Sequence, residues 1–258
     1  MQQNNFLIEC ICRAAYLSLL RYANIGRDIR GLPGLARFLR DPASLLEEEK
    51  QAGEALEAAI REYPESRYAQ LLTKLGNGEG AMLARRALEL AILEHCRPVI
   101  DLLLPPLQET KDCAGVSLEL TLQVYFDGDK NQGGVAVSRF SECLAAYRKL
   151  EPFLQTDQEV QVCYRKRLSA DERLLGWLCG DDRIDRRLDG IAEVQLYTYA
   201  LQLPVLFDNQ ELPKMIAGQL RLKEGTDAFV QIRGEQGSGR RLLVRYAAAE
   251  LKKNLILA

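Results

Sequence analysis

Through the first 150 residues apolar side chains recur at intervals of three and four, the spacing that gathers them on one face of an α-helix. FLIECICRAAYLSLLRYA predicts a helix that stops near Asn24-Ile25-Gly26. GLPGLARFLRDP predicts a short helix between two breakers, and Asp41-Pro42-Ala43-Ser44 a cap for the next one. That helix, LLEEEKQAGEALEAAIREY, carries an apolar stripe through Leu45, Ala52, Leu56, Ala59 and Ile60, with the EEEK charges on its wet side. Pro64 ends it, and ESRYAQLLTKLG predicts one more short helix.

GNGEG at 76–80 reads as a linker. Four further helical patterns follow: AMLARRALELAILEHC, RPVIDLLLPPLQ, VSLELTLQVYF and VSRFSECLAAYRKLEPF, separated by Pro98, Pro105-Pro106 and DGDKNQGG. The period then changes to two. EVQVCYRKRL alternates through Val160, Val162 and Tyr164 and predicts a strand, paired with EPFLQT across Asp157-Gln158. Ser169, with Glu172 three residues on, predicts a capping box for ADERLLGWLCG. Several short helices followed by a hairpin is the layout of a winged helix.

The last pattern is of another kind. DAFVQIRG predicts a strand, GEQGSGRR a glycine-rich turn, RRLLVRYAAAELKK a helix, and NLILA the start of a second strand. In that order loop N–H groups and a helix N-terminus point together at an anion, and glycines let the backbone approach it. Gly234 and Gly239 occupy the glycine positions of G-x-x-x-x-G-K-[ST]. Arg240 stands at the lysine position and Arg241 at the hydroxyl position, so the usual magnesium ligand is missing. LPVLFDNQE resembles a strand ending in a metal-binding Asp, but it precedes the loop, and Asp208 reads as a cap or loop residue.

Composition narrows the function classes. With 36 acidic and 34 basic residues the formal charge is −2, so no global field draws nucleic acid or an anionic membrane. VSLELTLQVYF has no basic residue, and nucleic-acid contact in the hairpin region would fall to Arg165, Lys166 and Arg167, which read equally as the solvent side of a strand. MQQNNFLIECICRAAYLSLL lacks a basic n-region and no later run is long enough for a membrane span, so a cytoplasmic protein is expected. Seven cysteines (Cys10, Cys12, Cys96, Cys113, Cys143, Cys163, Cys179) at scattered spacings read as reduced thiols, mostly buried. There is no C-x-x-C, and His95, the single histidine, reads as an ordinary helix residue. No Ser/His/Asp set, Cys/His pair or metal cluster supports an independent enzyme.

RFSECLAAYRKLEPF, then YRKRLSADERLLGWLCG with RIDRRL after it, then a linker and GEQGSGRRLLVRYAAAEL together resemble bacterial AAA-family ATPases with a variant winged-helix domain ahead of the ATPase modules. The resemblance runs over roughly residues 80 to 258. It implies that Gly234, Gly237, Ser238, Gly239 and Arg240 take nucleotide-loop positions, with Arg241 departing from the Ser or Thr of active members. It implies ATP and magnesium as cofactors of a longer parent, none held tightly by this chain, and protein partners or ring self-assembly. Only 19 residues follow Gly239, so the chain reads as a piece of a longer protein.

The fold expected is mainly α (α+β). It comprises a helical region at 1–78, a winged-helix-like domain at 79–200, a linker at 201–224, and at 225–258 the first strand-loop-helix-strand of a P-loop α/β module. The expected role is partner binding or assembly without catalysis. The alternative is a complete winged-helix adaptor or DNA-associated protein in which the glycine-rich turn is incidental.

Overall fold

A 20-residue helix, α1 (Gln2–Arg21), buries Leu7, Ile11, Ala14, Ala15 and Ser18, a spacing of three and four that presents one continuous apolar face. The computed structural model describes residues 2–27, 29–32, 34–108, 115–126, 139–157, 160–181, 183, 191–195, 211–221, 230–235 and 237–257. Beyond Arg21 the helix widens into a π-turn over Tyr22–Gly26. Asn24 in that turn donates to Leu20 O and Phe38 O at 2.9 and 3.0 Å and accepts from Arg40 N, which pins the irregular segment 29–40. The helix expected there is two 3₁₀ turns, Ile29–Gly31 and Ala36–Phe38.

Local signals place α2 and α3 well. Asp41 caps α2 (Pro42–Glu62) by accepting from Ser44 N at 2.8 Å, and Pro42 supplies a preset φ at the first turn. Leu45, Ala52, Leu56 and Ala59 form its buried stripe. Ser66 caps α3 (Arg67–Leu75) through Ala69 N.

The segment expected as a linker is a tight turn, exposed at 76–79 and buried at Gly80, between two helices that share one core. Gly76, Gly78 and Gly80 all take positive φ and lead directly into α4 (Ala81–Cys96). A Cβ on Gly80 would stand 2.5 Å from Ala146 N and 2.8 Å from Glu142 O, so the bare backbone is what lets two segments meet. α4 is buried nearly all round, from Leu83 to Leu93, and its residues share one hydrophobic cluster with Tyr68, Leu71 and Leu75 of α3. A 3₁₀ turn (Pro98–Leu102) and a short α5 (Leu104–Gln108) follow.

The middle of the chain builds a small sheet. Strand β1 (Val116–Ser117) runs into α6 (Leu118–Tyr125), whose first turn Ser117 caps through Leu120 N. Helix α7 (Phe140–Leu150) leads to β2 (Gln155–Thr156) and β3 (Arg167–Ser169). All pairs are antiparallel and the order is β1-β3-β2, with Val116 opposite Leu168 and Gln155 opposite Ser169.

Two local expectations are corrected here. The strand read from Val160 starts only at Arg167. Val162 O instead accepts from Arg165 N and Lys166 N, closing a turn. Cys163 is buried within it and Tyr164 O accepts from Glu119 N, so the alternation recorded a turn packed on one side. Asp171, not Ser169, caps α8 (Glu172–Cys179), accepting from Leu174 N at 2.8 Å, because Ser169 is held in β3 opposite Gln155.

Contacts divide the chain into Met1–Asp182 and Arg183–Ala258. The boundary expected at 78/79 falls between α3 and α4, which bury apolar faces in a common core, and those expected at 200/201 and 224/225 lie outside the described residues. In the second unit β4 (Glu193–Gln195) pairs antiparallel with β5 (Leu255–Leu257). Helix α9 (Leu212–Arg221) packs on α10 (Arg240–Glu250), with Ala217, Leu243, Ala247 and Ala249 buried. Small side chains let these two short helices approach closely. The protein is thus mainly helical with small antiparallel sheets, and no helix among the described residues is long and apolar enough to cross a membrane.

Candidate functional site

The glycine-rich turn lies before α10, as its sequence order predicts. Gly237 and Gly239 take left-handed φ of 86° and 77°, with open space around both. Gly239 is the N-cap residue of α10 and its carbonyl accepts from Leu243 N at 2.9 Å, yet no side chain caps the helix. Ser238 N donates to Glu235 O at 3.2 Å, and the Ser238 hydroxyl folds back over Gly234, 2.7 Å from where a Cβ would sit. Arg240 and Arg241 are both exposed. All six sequence-predicted residues therefore fall in one turn and the first turn of one helix, an uncapped and positively flanked N-terminus that suits an anion.

The surroundings differ from the expected α/β module. Residues 230–235 are irregular, so the strand predicted before the loop is not formed over its described part, and 227–229 lie outside the described residues. The strand after the helix does form. Its partner is the upstream segment Glu193–Gln195, and the pairing is antiparallel, where a βαβ crossover would give a parallel pair. Asp208 lies outside the described residues. Along α9 runs an apolar trough of about 680 Å³ bordered by Leu212, Met215, Ile216 and Val230.

The face formed by α7 and the turn ahead of β3 in the first unit has its own chemistry. Arg139 makes a bidentate pair with Glu142 at 2.6 and 2.8 Å and lies over the Phe126 ring. Lys149 donates to Leu75 O at 2.7 Å. Arg165 stands 3.4 Å from a Glu119 carboxylate oxygen, and Lys166 lies over the Tyr147 ring. Arg167 is half-buried in β3. Between α7 and the turn ahead of β3, Phe140 and Tyr164 meet edge to face at 6.4 Å, with Phe140 and Val162 exposed. Arg139, Lys149, Arg165 and Lys166 thus have acidic, carbonyl or aromatic partners, while Arg148 and Arg165 are exposed beside Phe140 and Val162.

Two clusters escaped the sequence reading. Glu89 of α4 is fully buried and accepts from Tyr68 Oη at 2.8 Å, Arg85 Nε at 2.9 Å and Arg86 Nη1 at 2.7 Å, while Arg85 also pairs with Glu57. Burial, then the neighbouring Glu89 charge, pushes the Tyr68 hydroxyl well above its ordinary range. This network ties α2, α3 and α4 together from the inside. The second cluster consists of thiols. Cys12 is buried in α1, while Cys96 at the end of α4 and Cys179 at the end of α8 are partly buried. The Cys12 thiol, with His95 and Arg97, draws Cys96 down to about 7 against its partial burial. His95 itself donates from Nδ1 to Ala170 O at 3.0 Å, a structural contact. Among the described residues no group of three or more His, Cys, Asp or Glu side chains is placed to hold a metal ion.

Comparison of the chain with protein-family models, with curated proteins and with solved structures finds no match in any of the three.

Proposed function

We propose that this chain is a non-catalytic, partner-binding or assembly region of an AAA-type ATPase, with a winged-helix module in its first unit and a degenerate nucleotide loop in its second. The observation that supports the reading is the order of described elements from α5 to β3, helix-strand-helix-helix-strand-strand with sheet order β1-β3-β2, a connectivity compatible with a winged helix. Its outer face favours protein over nucleic acid. A DNA reader presents Arg, Lys, Asn or Gln to base edges and unpaired cations to phosphates. Here Arg139, Lys149, Arg165 and Lys166 already have acidic, carbonyl or aromatic partners, and Phe140 and Val162 supply exposed apolar surface beside the half-buried Tyr164, as protein contacts use.

The loop supports the second half of the reading. An uncapped α10 with Gly237, Gly239, Arg240 and Arg241 at its start suits weak anion contact, and Arg241 offers magnesium no hydroxyl. Exposed ion pairs contribute about 0–1 kcal/mol each. Several together leave a dissociation constant around millimolar, about −4 kcal/mol.

Calorimetry of the chain with ATP and Mg²⁺ tests the loop, and a photo-crosslinking side chain placed at Phe140 tests the face. The expected outcomes are no ATP binding at micromolar concentration and a discrete protein adduct that excess unlabelled chain competes away. Micromolar, magnesium-dependent ATP binding lost in Gly239→Ala would mean a working nucleotide site. An adduct to nucleic acid at Phe140 would return the winged module to DNA.

A further inference from the structure

We propose that the second unit binds the sugar-phosphate backbone of a nucleic acid along α10, without reading its sequence. Half of this surface lies outside the nucleotide loop, at the other end of the helix. Residues 230–258 hold six basic side chains against two acidic ones, a formal charge of +4. The rest of the chain holds 28 against 34, a formal −6, so positive charge is gathered into one stretch of an acidic protein. Arg233, Arg240, Arg241, Lys252 and Lys253 are all exposed. None of the five makes an ion pair among the described residues, and Arg233 donates only to Gln231 Oε1, at 3.0 Å.

The two ends of α10 hold their cations for different local reasons. Arg240 and Arg241 open the helix, where free N–H groups already carry partial positive charge and no acidic side chain stands in the first turn. Cations there have the wrong sign for the helix, and phosphates lying across them relieve the conflict. At the other end Lys252 N donates to Ala249 O and Lys253 N to Ala248 O, both at 3.0 Å, closing the helix. Lys252 takes a left-handed φ of 53°, a conformation that favours glycine, and both lysines stand in solvent. Arg221 of α9 donates to Glu250 O at 2.6 Å and adds a third cation at this end, with the Glu250 carboxylate as the opposing charge. Arg240 and Lys252 are about 18 Å apart along the axis at 1.5 Å per residue. That matches the rise of about five nucleotides of one strand.

The kind of partner follows from what else the helix presents. From Arg240 to Asn254 the exposed side chains are Arg240, Arg241, Glu250, Lys252, Lys253 and Asn254, all of them polar. A protein contact is built on an apolar centre, which this surface lacks. An anionic bilayer takes up the apolar face of a basic helix, but in α10 that face, Leu243 and Ala247, is buried, and α9 packs against the helix. A run of phosphates asks only for spaced cations, and an arginine meets two phosphate oxygens with two N–H groups. Contacts of this kind carry no sequence code.

Fluorescence anisotropy of a labelled single-stranded oligonucleotide, titrated with the purified chain at rising salt, tests this. Four phosphate contacts give a log–log salt slope near −2.8, so affinity should fall about fifty-fold between about 50 and 200 mM salt. Lys252→Gly combined with Lys253→Gln removes two charges and suits the left-handed backbone, and should bring the slope to about −1.4. Arg240→Gln combined with Arg241→Gln should do the same from the other end. An oligonucleotide of unrelated sequence and equal length should bind within about threefold. Because the lysine pair is outside the nucleotide loop, its effect is separate from any loss of ATP contact. Absence of salt-sensitive binding in the wild type, or binding that the lysine pair leaves unchanged, overturns the proposal. So does a chain that binds anionic vesicles and not the oligonucleotide.

Discussion

The two units solve the packing problem in opposite ways. In residues 1–182 a single helix, α4, is enclosed on all sides, and every neighbouring element adds apolar side chains to one continuous cluster. The same helix carries a fully buried carboxylate, tolerated because Tyr68, Arg85 and Arg86 all donate to it. In residues 183–258 the described elements are two short helices and a pair of three-residue strands, with Ala217, Leu243, Ala247 and Ala249 buried and Ile191, Met215 and Ile256 exposed. A fixed polar network needs a surrounding core to hold it. An uncapped, glycine-rich turn needs the opposite, a helix end left open to solvent, and the second unit provides that.

Five substitutions probe this contrast, from the largest expected effect downward. Glu89→Ala leaves two arginines and a tyrosine facing an apolar interior, and removing one partner of a buried pair costs about 3–5 kcal/mol. Chemical denaturation followed by circular dichroism should show that loss. A change below about 1 kcal/mol would mean that water reaches the cluster and the core of the first unit is looser than described.

Gly80→Ala and Gly237→Ala compare the units directly, since both glycines have positive φ. At either site an L-residue in the left-handed region costs about 1–2 kcal/mol. Only at Gly80 does the new Cβ also collide with the backbone of α7, at 2.5 Å from Ala146 N. Gly80→Ala should therefore lower the unfolding midpoint clearly more than Gly237→Ala. Equal effects would place the Gly80 turn outside the shared core.

The smallest effect is Asp171→Ala, which removes the cap of α8 and should cost about 1 kcal/mol, while Ser169→Ala should cost less as a cap. Hydrogen exchange of the Leu174 amide reads this locally. Faster exchange in Ser169→Ala than in Asp171→Ala would restore the capping box inferred from spacing.

Helical periodicity and capping chemistry are local properties, and wherever they acted alone the sequence was legible. The stripe Leu45, Ala52, Leu56, Ala59 and the Asp41 cap are in place, as are α4, α7 and the helix beginning at Arg240. The turn ahead of that helix was legible for the same reason, because left-handed Gly237 and Gly239 and a helix start need only their own neighbours. Partners distant in the chain were not. That residues 160–166 turn while Arg167–Ser169 pairs between β1 and β2 depends on strands separated by many residues. GNGEG carries every mark of a linker, yet α7 packs against Gly80 and makes it part of a core. Tertiary structure alone decided that Glu89 has three donors and that β5 pairs antiparallel with Glu193–Gln195. Local propensity sets which backbone shape a segment prefers, whereas the burial of charges, thiols and strand edges is set by whichever surfaces the fold brings against them.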